Sequence, residues 1–451
     1  TPFAGHYAEE FLALPVPILT TVMRKHQKYF PLVTENGGPL PYFIGVRDGD
    51  DYSLDEVIHG NERVIRARLA DAAFYFENDR KQPLAARFEE LKTVTFEARL
   101  GTLYEKTERL EQLAGQLASS LALESEVREA LLRAARLAKC DLVTDMVQDF
   151  DELQGVMGCH YALLDGESEA VAQALEEQYM PKAAGAVFPK TLPGALLSLA
   201  DKLDTVVGCL AVGYSATGSA DPFGLRRSAY ALVALCDAYD LKLDLSALAA
   251  MVYQLVEPKA QVGKDDALAA FAELLTGRVE AYLRDEGLRY DTLNAALASG
   301  ATTPRLACLR ARTFEQNRDL EDFIQLATAA MRPINIVRAA LKKGQITSEM
   351  LSKAPDETLF STEMEQSLFA AFQDLASATA GELLTESAWQ DFATRLTALT
   401  PVVDKFFDEV LVMDSDLDIQ QNRLRLMAYV ARLLERLGDF KIGRASCRER
   451  V

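Results

Sequence analysis

The side chains with the most chemical potential in this 451-residue chain cluster between residues 200 and 227, ADKLDTVVGCLAVGYSATGSADPFGLRR. Two carboxylates, Asp201 and Asp204, precede a loop of Gly, Ser and Thr. Asp221-Pro222 then gives a helix start signal, with Pro expected at the first helical position. Arg226 and Arg227 follow within the next turn. Small loop residues, free amide donors and two guanidinium groups suit a phosphate or carboxylate. A surface helix–loop–helix with solvated arginines accounts for the same residues, since exposed ion groups contribute little. Further upstream, Lys139-Cys140-Asp141 offers another carboxylate, and Arg24, Lys25, His26 and Lys28 form a basic cluster. That cluster suits either a phosphate contact or the solvated end of a strand.

Several chemistries are excluded. There is no Walker A loop, dinucleotide glycine fingerprint or nucleophile elbow. The chain holds only 4 histidines, namely His6, His26, His59 and His160, too few for a two-metal hydrolase centre. His160 reads better as a partly buried helix residue. The 6 cysteines are scattered, without CxxC pairs, which fits a reducing cytoplasm. No run of about 18 apolar residues suggests a membrane helix, and no secretory signal is expected. The net charge of −19 opposes nucleic-acid binding unless the positive charge is gathered locally. Such a concentration exists between Arg305 and Lys343, where Arg305, Arg310, Arg312, Arg318, Arg332, Arg338, Lys342 and Lys343 outnumber Glu315, Asp319, Glu321 and Asp322.

The elements that must position these groups are mainly helical. Residues 16–19, 29–33 and 42–46 are short and β-rich, punctuated by Pro or Gly, and are expected as strands. A helical pattern runs from Leu54 to Asn78. Residues 100–121, 124–147, 167–179, 199–210 and 225–239 then place apolar side chains at three- and four-residue spacing. Pro181, Pro189 and Pro193 break the chain into a loop, and helical periodicity resumes from 301 to 442. The length allows roughly two or three domains.

Ordered blocks carry a resemblance: MRKHQKYFPLV (23–33), GNERVIRARLADAAFYFENDR (60–80), LGTLYEKTERL (100–110), LAKCDLVTDMVQDFDELQGVMG (137–158), LADKLDTVVG with TGSADPFGLRRSAYALV, and FFDEVLVMDSDLDIQQNRLRLM (406–427). Together they resemble the β subunit of bacterial heterotetrameric glycyl-tRNA synthetase across nearly the whole chain. The resemblance implies a mainly α fold with a small α+β unit over 1–92. A degenerate HD-hydrolase-like helical domain would span 93–300, and an arginyl-tRNA-synthetase-like anticodon-binding domain 301–442. It implies that Thr1 lies inside a longer protein and that residues 443–451, GRASCRERV, are a foreign tail. In HD hydrolases an adjacent His-Asp pair and a distant Asp bind metal. Cys140-Asp141 and Asp201 stand at those positions, so no metal is expected and a structural pairing of Asp201 or Asp204 with Arg226 or Arg227 is expected instead.

The same resemblance implies tRNA contacts by Arg24, Lys25, Lys28, Lys202, Arg226 and Arg227, and by Arg305, Arg310, Arg312, Arg332, Asn335, Arg338, Lys342 and Lys343. Met331–Ile336 stands where the family shows Lys-Arg-Val-x-Asn-Ile. Arg332, Asn335 and Ile336 match, while Pro333 departs and is expected to kink or restart the helix. FFDEVLVM and the helix beginning near Asn422 are expected to be core packing. The implied role is to bind and position tRNA(Gly) for an α subunit that uses ATP and Mg²⁺, with no cofactor on this chain, no membrane and no DNA, in the cytoplasm. The rival reading is an HD-type metal-dependent phosphohydrolase.

Overall fold

A computed structural model describes residues 1–25, 27–216, 221–298, 300–379, 383 and 385–440. The chain divides into two compact units, Thr1–Leu235 with Leu248–Leu268, and Cys236–Ala247 with Ala269–Val451. Three segments with boundaries near 92 and 300 were expected from the sequence. The divisions observed fall inside helices, where no Pro or Gly punctuation marks them.

The first unit opens with strand β1 (Pro2–His6), helix α1 (Val16–Lys25), strands β2 (Phe30–Val33) and β3 (Pro39–Val46), and the long helix α2 (Leu54–Asp79). The strands form an antiparallel sheet in the order β1-β3-β2. Phe3 opposes Gly45 and Gly5 opposes Phe43, so each ring lies over a cross-strand glycine. A Cβ on Gly45 would sit 2.3 Å from the Phe3 ring, which is why no larger residue fits. Residues 16–19, expected as a strand, begin α1 instead. Pro17 lies in the first turn, where its missing N–H costs nothing, and Ile18, Leu19, Val22 and Met23 are buried at helical spacing.

A short hairpin, β4 (Thr95–Glu97) and β5 (Gly101–Thr102), leads into a helical array: α3 (Leu103–Ser120), α4 (Ser125–Leu137), α5 (Asp145–Asp149), α6 (Val156–Leu164), α7 (Glu169–Glu177) and α8 (Leu192–Ala211). A capping box at Thr102 and Glu105 starts α3. The continuous helix expected over 124–147 stops at Leu137, and a single 3₁₀ turn, Cys140–Val143, precedes α5. α8 packs against α3, α4 and α7, and most of its residues are buried. It is the central post of this unit.

There follow α9 (Leu225–Ala238), α10 (Leu245–Val256), α11 (Lys264–Asp285), α12 (Tyr290–Leu297), α13 (Pro304–Asn317), α14 (Glu321–Lys342), α15 (Ser348–Ser352), α16 (Glu363–Ala378), α17 (Glu386–Ala398), α18 (Thr400–Glu409) and α19 (Leu417–Glu435). The second unit's core gathers Phe314, Phe323, Phe372, Phe392, Phe406, Leu424 and Met427. The expected burial of the 406–413 block holds for Phe406, Val410 and Val412, whereas Leu411 is 73% exposed. Pro333 does not restart a helix: α14 continues through it, with Pro333 and Ile334 buried. Packing of α14 against α18 and α19 offsets the one backbone hydrogen bond that proline removes. No described helix is long and apolar enough to cross a membrane.

Candidate nucleic-acid interface and the buried charge cluster

Two helices of the first unit each project a pair of charges at an i, i+3 spacing, which places both on one face. α3 supplies Lys106 and Arg109, and α8 supplies Asp201 and Asp204. Lys106 Nζ lies 2.9 Å from Asp204 and 3.0 Å from Asp201, and Lys139 Nζ lies 3.1 Å from the other Asp201 oxygen. Arg109 donates through Nε and Nη2 to the two Asp204 oxygens. Asp204 has no solvent exposure. Burial alone would raise both aspartates. The neighbouring ammonium and guanidinium groups outweigh it and hold both below the usual carboxylate range.

This arrangement corrects the expected pairing of Asp201 and Asp204 with Arg226 or Arg227. The partners come from α3 and from the turn after α4. Both Asp201 oxygens face ammonium groups, so a dication approaching them would meet cations already in place. Among the described residues no group of three or more His, Cys, Asp or Glu side chains is arranged to hold a metal ion. Asp141 is also buried, accepts the Gly155 N–H at 2.5 Å, and is pushed up to about 6 by burial. His160 is half-buried on α6, and burial lowers its pKa.

Lys202 leaves the set of residues able to meet RNA. Its Nζ is turned inward to Ser198 Oγ and to the carbonyls of Gln178 and Met180, and burial drives it down to about 8. At the loop, the Asp221 carboxylate accepts the N–H groups of Leu225 and Arg226 at 2.7 and 3.0 Å. The cap therefore acts three residues later than expected, and Pro222 sits in the preceding turn rather than at the first helical position. Arg226 Nε donates to the Ala216 carbonyl, while Arg227 is exposed. Thr217–Ala220 of the expected anion loop, His26 of the N-terminal cluster and the 443–451 tail lie outside the described residues. In that cluster Arg24 and Lys28 are exposed, but Lys25 is engaged by Asp151 and Glu152 at 2.7 and 2.9 Å.

In the second unit the basic run divides sharply. Asp237 draws in Arg305 at 2.7 Å, Arg312 at 2.6 Å and the Tyr282 hydroxyl at 2.9 Å. Arg312 also pairs with Glu286, and Arg318 with Asp291. Arg310 is largely buried and is lowered to about 10 by that burial. Arg338 lies 3.3 Å from both Glu435 and Asp439. These arginines mainly hold the unit together. The outward face of α14 is different: Arg332, Asn335, Lys342 and Lys343 are exposed, and Arg332 makes only a 3.5 Å approach to Asp404 and a cation–π contact with Phe407. A cleft of about 590 Å³ near the start of α14 carries Glu321 and Asp322 and so disfavours phosphate.

Sequence reasoning missed Lys106, Arg109 and Lys139 as the aspartates' partners, and it passed over Arg63 and Arg66 on α2. The 60–80 block singled out that helix, and its arginine spacing was the available signal.

A family model described as the glycyl-tRNA synthetase beta subunit matches residues 1–298, and one described as the DALR anticodon binding domain matches residues 326–439. The chain is 39% identical to the glycine–tRNA ligase beta subunit of Moorella thermoacetica, over 98% of this chain and 62% of that protein. Against the corresponding protein of Clostridioides difficile it is 38% identical, over 95% of this chain and 60% of the relative. Against that of Glaesserella parasuis it is 38% identical, over 97% of this chain and 62% of the relative. The chain thus spans about three-fifths of the length of these curated relatives. By the extent of both matches, it belongs to the glycyl-tRNA synthetase β-subunit family.

Proposed function

We propose that this chain binds tRNA(Gly) and orients it for a separate α subunit, which activates glycine with ATP and Mg²⁺ and transfers it to the tRNA. The observation that carries this reading is the joint match, in one chain, to the β-subunit family over 1–298 and to an anticodon-binding domain over 326–439. In this proposal the chain acts in the cytoplasm as part of an α2β2 assembly and binds no cofactor of its own. Holding the acceptor end near the adenylate is catalysis by positioning, where a displacement near 1 Å costs about a hundredfold in rate.

The exposed cations support the reading. Lys342 and Lys343 close α14, with Arg332 and Asn335 on the same helix, and Arg24, Lys28 and Arg227 lie on the first unit. A-form RNA would be held at such points through its phosphates and 2′-hydroxyls. The buried aspartates, neutralised by lysine and arginine, suit a scaffold and disfavour a metal-dependent phosphohydrolase.

The test is reconstitution. The complete β subunit and the α subunit, purified separately, should charge tRNA(Gly) only when mixed. Charging by this subunit alone, or stoichiometric Mn²⁺ together with phosphodiester turnover, would refute the division of labour.

A further inference from the structure

Helix α2 buries one face and leaves the other exposed among the described residues. Ile65, Leu69, Ala72 and Phe76 point into the first unit, where α2 meets β1, α1 and α5. On the opposite side His59, Arg63, Arg66, Ala70 and Phe74 recur at three- and four-residue steps, spanning about 22 Å of helix. Arg63 and Arg66 are exposed and make no ion pair or side-chain hydrogen bond with any described residue. Arg305, Arg312, Arg318 and Arg423, by contrast, are all held by carboxylates. Arg63 and Arg66 share their freedom with other exposed arginines such as Arg128 but lie on one helix face with an exposed aromatic ring. Phe74 is 64% exposed. Of the two acids between residues 59 and 74, Glu62 is buried and accepts from the His6 N–H and ring, leaving Asp71 alone in solvent.

We propose that this face is an RNA-binding surface, on which Arg63 and Arg66 take backbone phosphates and Phe74 stacks on an unpaired base. The proposal rests on the tRNA-binding reading above and assigns part of that contact to a helix outside the residues already considered. Free guanidinium groups match phosphate through paired donors. Ala67 and Ala70 keep the strip between them and the ring low, so a sugar–phosphate backbone can approach. An aromatic face accepts any base, so the contact requires no base-specific hydrogen bonds.

The experiment measures binding of a tRNA(Gly) transcript to the complex of full-length β subunit and α subunit across a potassium chloride series. R63Q/R66Q should flatten the slope of log affinity against log salt by about 1.4 to 1.8 units, at about 0.7–0.9 per lost phosphate contact. The control R128Q, at an exposed arginine on α4, should leave the slope unchanged, where a lost phosphate contact would flatten it by about 0.7–0.9. F74A should weaken binding about tenfold without altering the slope. If the unsubstituted complex binds tRNA and R63Q/R66Q keeps its slope, or R128Q flattens it equally, the surface is refuted while the tRNA reading stands. Loss of α-subunit association in R63Q/R66Q on gel filtration, with the tRNA slope unchanged, assigns the face to a protein contact and also refutes it. Failure of the unsubstituted complex to bind tRNA removes both.

Discussion

Asp204→Asn tests whether the cluster between α3 and α8 is an internal ionic scaffold. The substitution preserves shape and deletes one negative charge at a position with no solvent exposure. The carboxylate it removes accepts from Arg109 Nε at 2.5 Å, Arg109 Nη2 at 3.1 Å and Lys106 Nζ at 2.9 Å. Lys106 and Lys139 would then share Asp201, while Arg109 would lose the carboxylate it pairs with. At an effective dielectric near 20, a unit pair about 3 Å apart interacts by roughly 5 kcal/mol, partly offset by desolvation that the folded state no longer imposes on Asp204. Breaking one partner of a buried pair costs about 3–5 kcal/mol in comparable cases. For a unit of this size that lowers Tm by about 6–20 °C.

Urea titration and calorimetry of the complete β subunit would read the loss, with the m-value unchanged if the unfolded ensemble is the same. The companion variant K106M/R109M/D204L removes two cations and one anion, leaving Lys139 to balance Asp201. It should recover most of the loss, because the damage in Asp204→Asn comes from uncompensated buried charge. A loss below about 1 kcal/mol in Asp204→Asn would show that water reaches the cluster, and the scaffold argument would fail. So would a rise in Tm with added Mn²⁺, since a ligand that binds only the folded form stabilises by mass action.

Asp141→Asn should act with the opposite sign and only above acid pH. Its pKa of about 6 against an ordinary 3.8 means that the folded protein retains a proton the unfolded chain has released, so the group's cost grows between about pH 4 and 6 and persists above. The variant should therefore gain up to about 3 kcal/mol at pH 7 and only about 0.5 kcal/mol at pH 4, read as urea midpoints at the two pH values; an equal change at both would refute the assignment. Asp237→Asn should destabilise the second unit by about 1–3 kcal/mol, because Arg305, Arg312 and the Tyr282 hydroxyl all converge on that carboxylate. A melt indistinguishable from the unsubstituted protein would show that these pairs are solvent-screened.

Helices that bury one continuous stripe were legible from spacing alone. The pattern from Leu54 to Asn78 appears within a residue of the limits of α2, whereas α8 begins at Leu192, seven residues before the expected Leu199, and takes Pro193, expected in a loop, into its first turn. Proline was misread where its role depends on context. Pro17 looks like strand punctuation but lies in a first helical turn, Pro222 precedes the helix it was expected to begin, and Pro333 sits inside a helix that continues past it. The long-range ion pairs were not legible, since Lys106 is 98 residues from Asp204 and Arg312 is 75 from Asp237. No local pattern reports such partners.

That blindness explains why counting charge along the sequence misleads about RNA binding. Eight basic residues between Arg305 and Lys343 form a local excess. Yet Arg305, Arg312 and Arg318 are neutralised by carboxylates from other helices, and Arg310 is shielded by burial. A guanidinium already bridging two carboxylates must give up both before it can take a phosphate, and gains little by the exchange. The useful quantity is therefore the set of cations that folding leaves exposed and uncommitted. In the first unit that set includes Arg63 and Arg66, which the sequence reading overlooks, and excludes Lys202, which the family resemblance puts forward. An acidic protein can in this way keep a polyanion-binding face: part of its positive charge is held in ion pairs within the fold, and arginines and lysines outside those pairs remain available to a ligand.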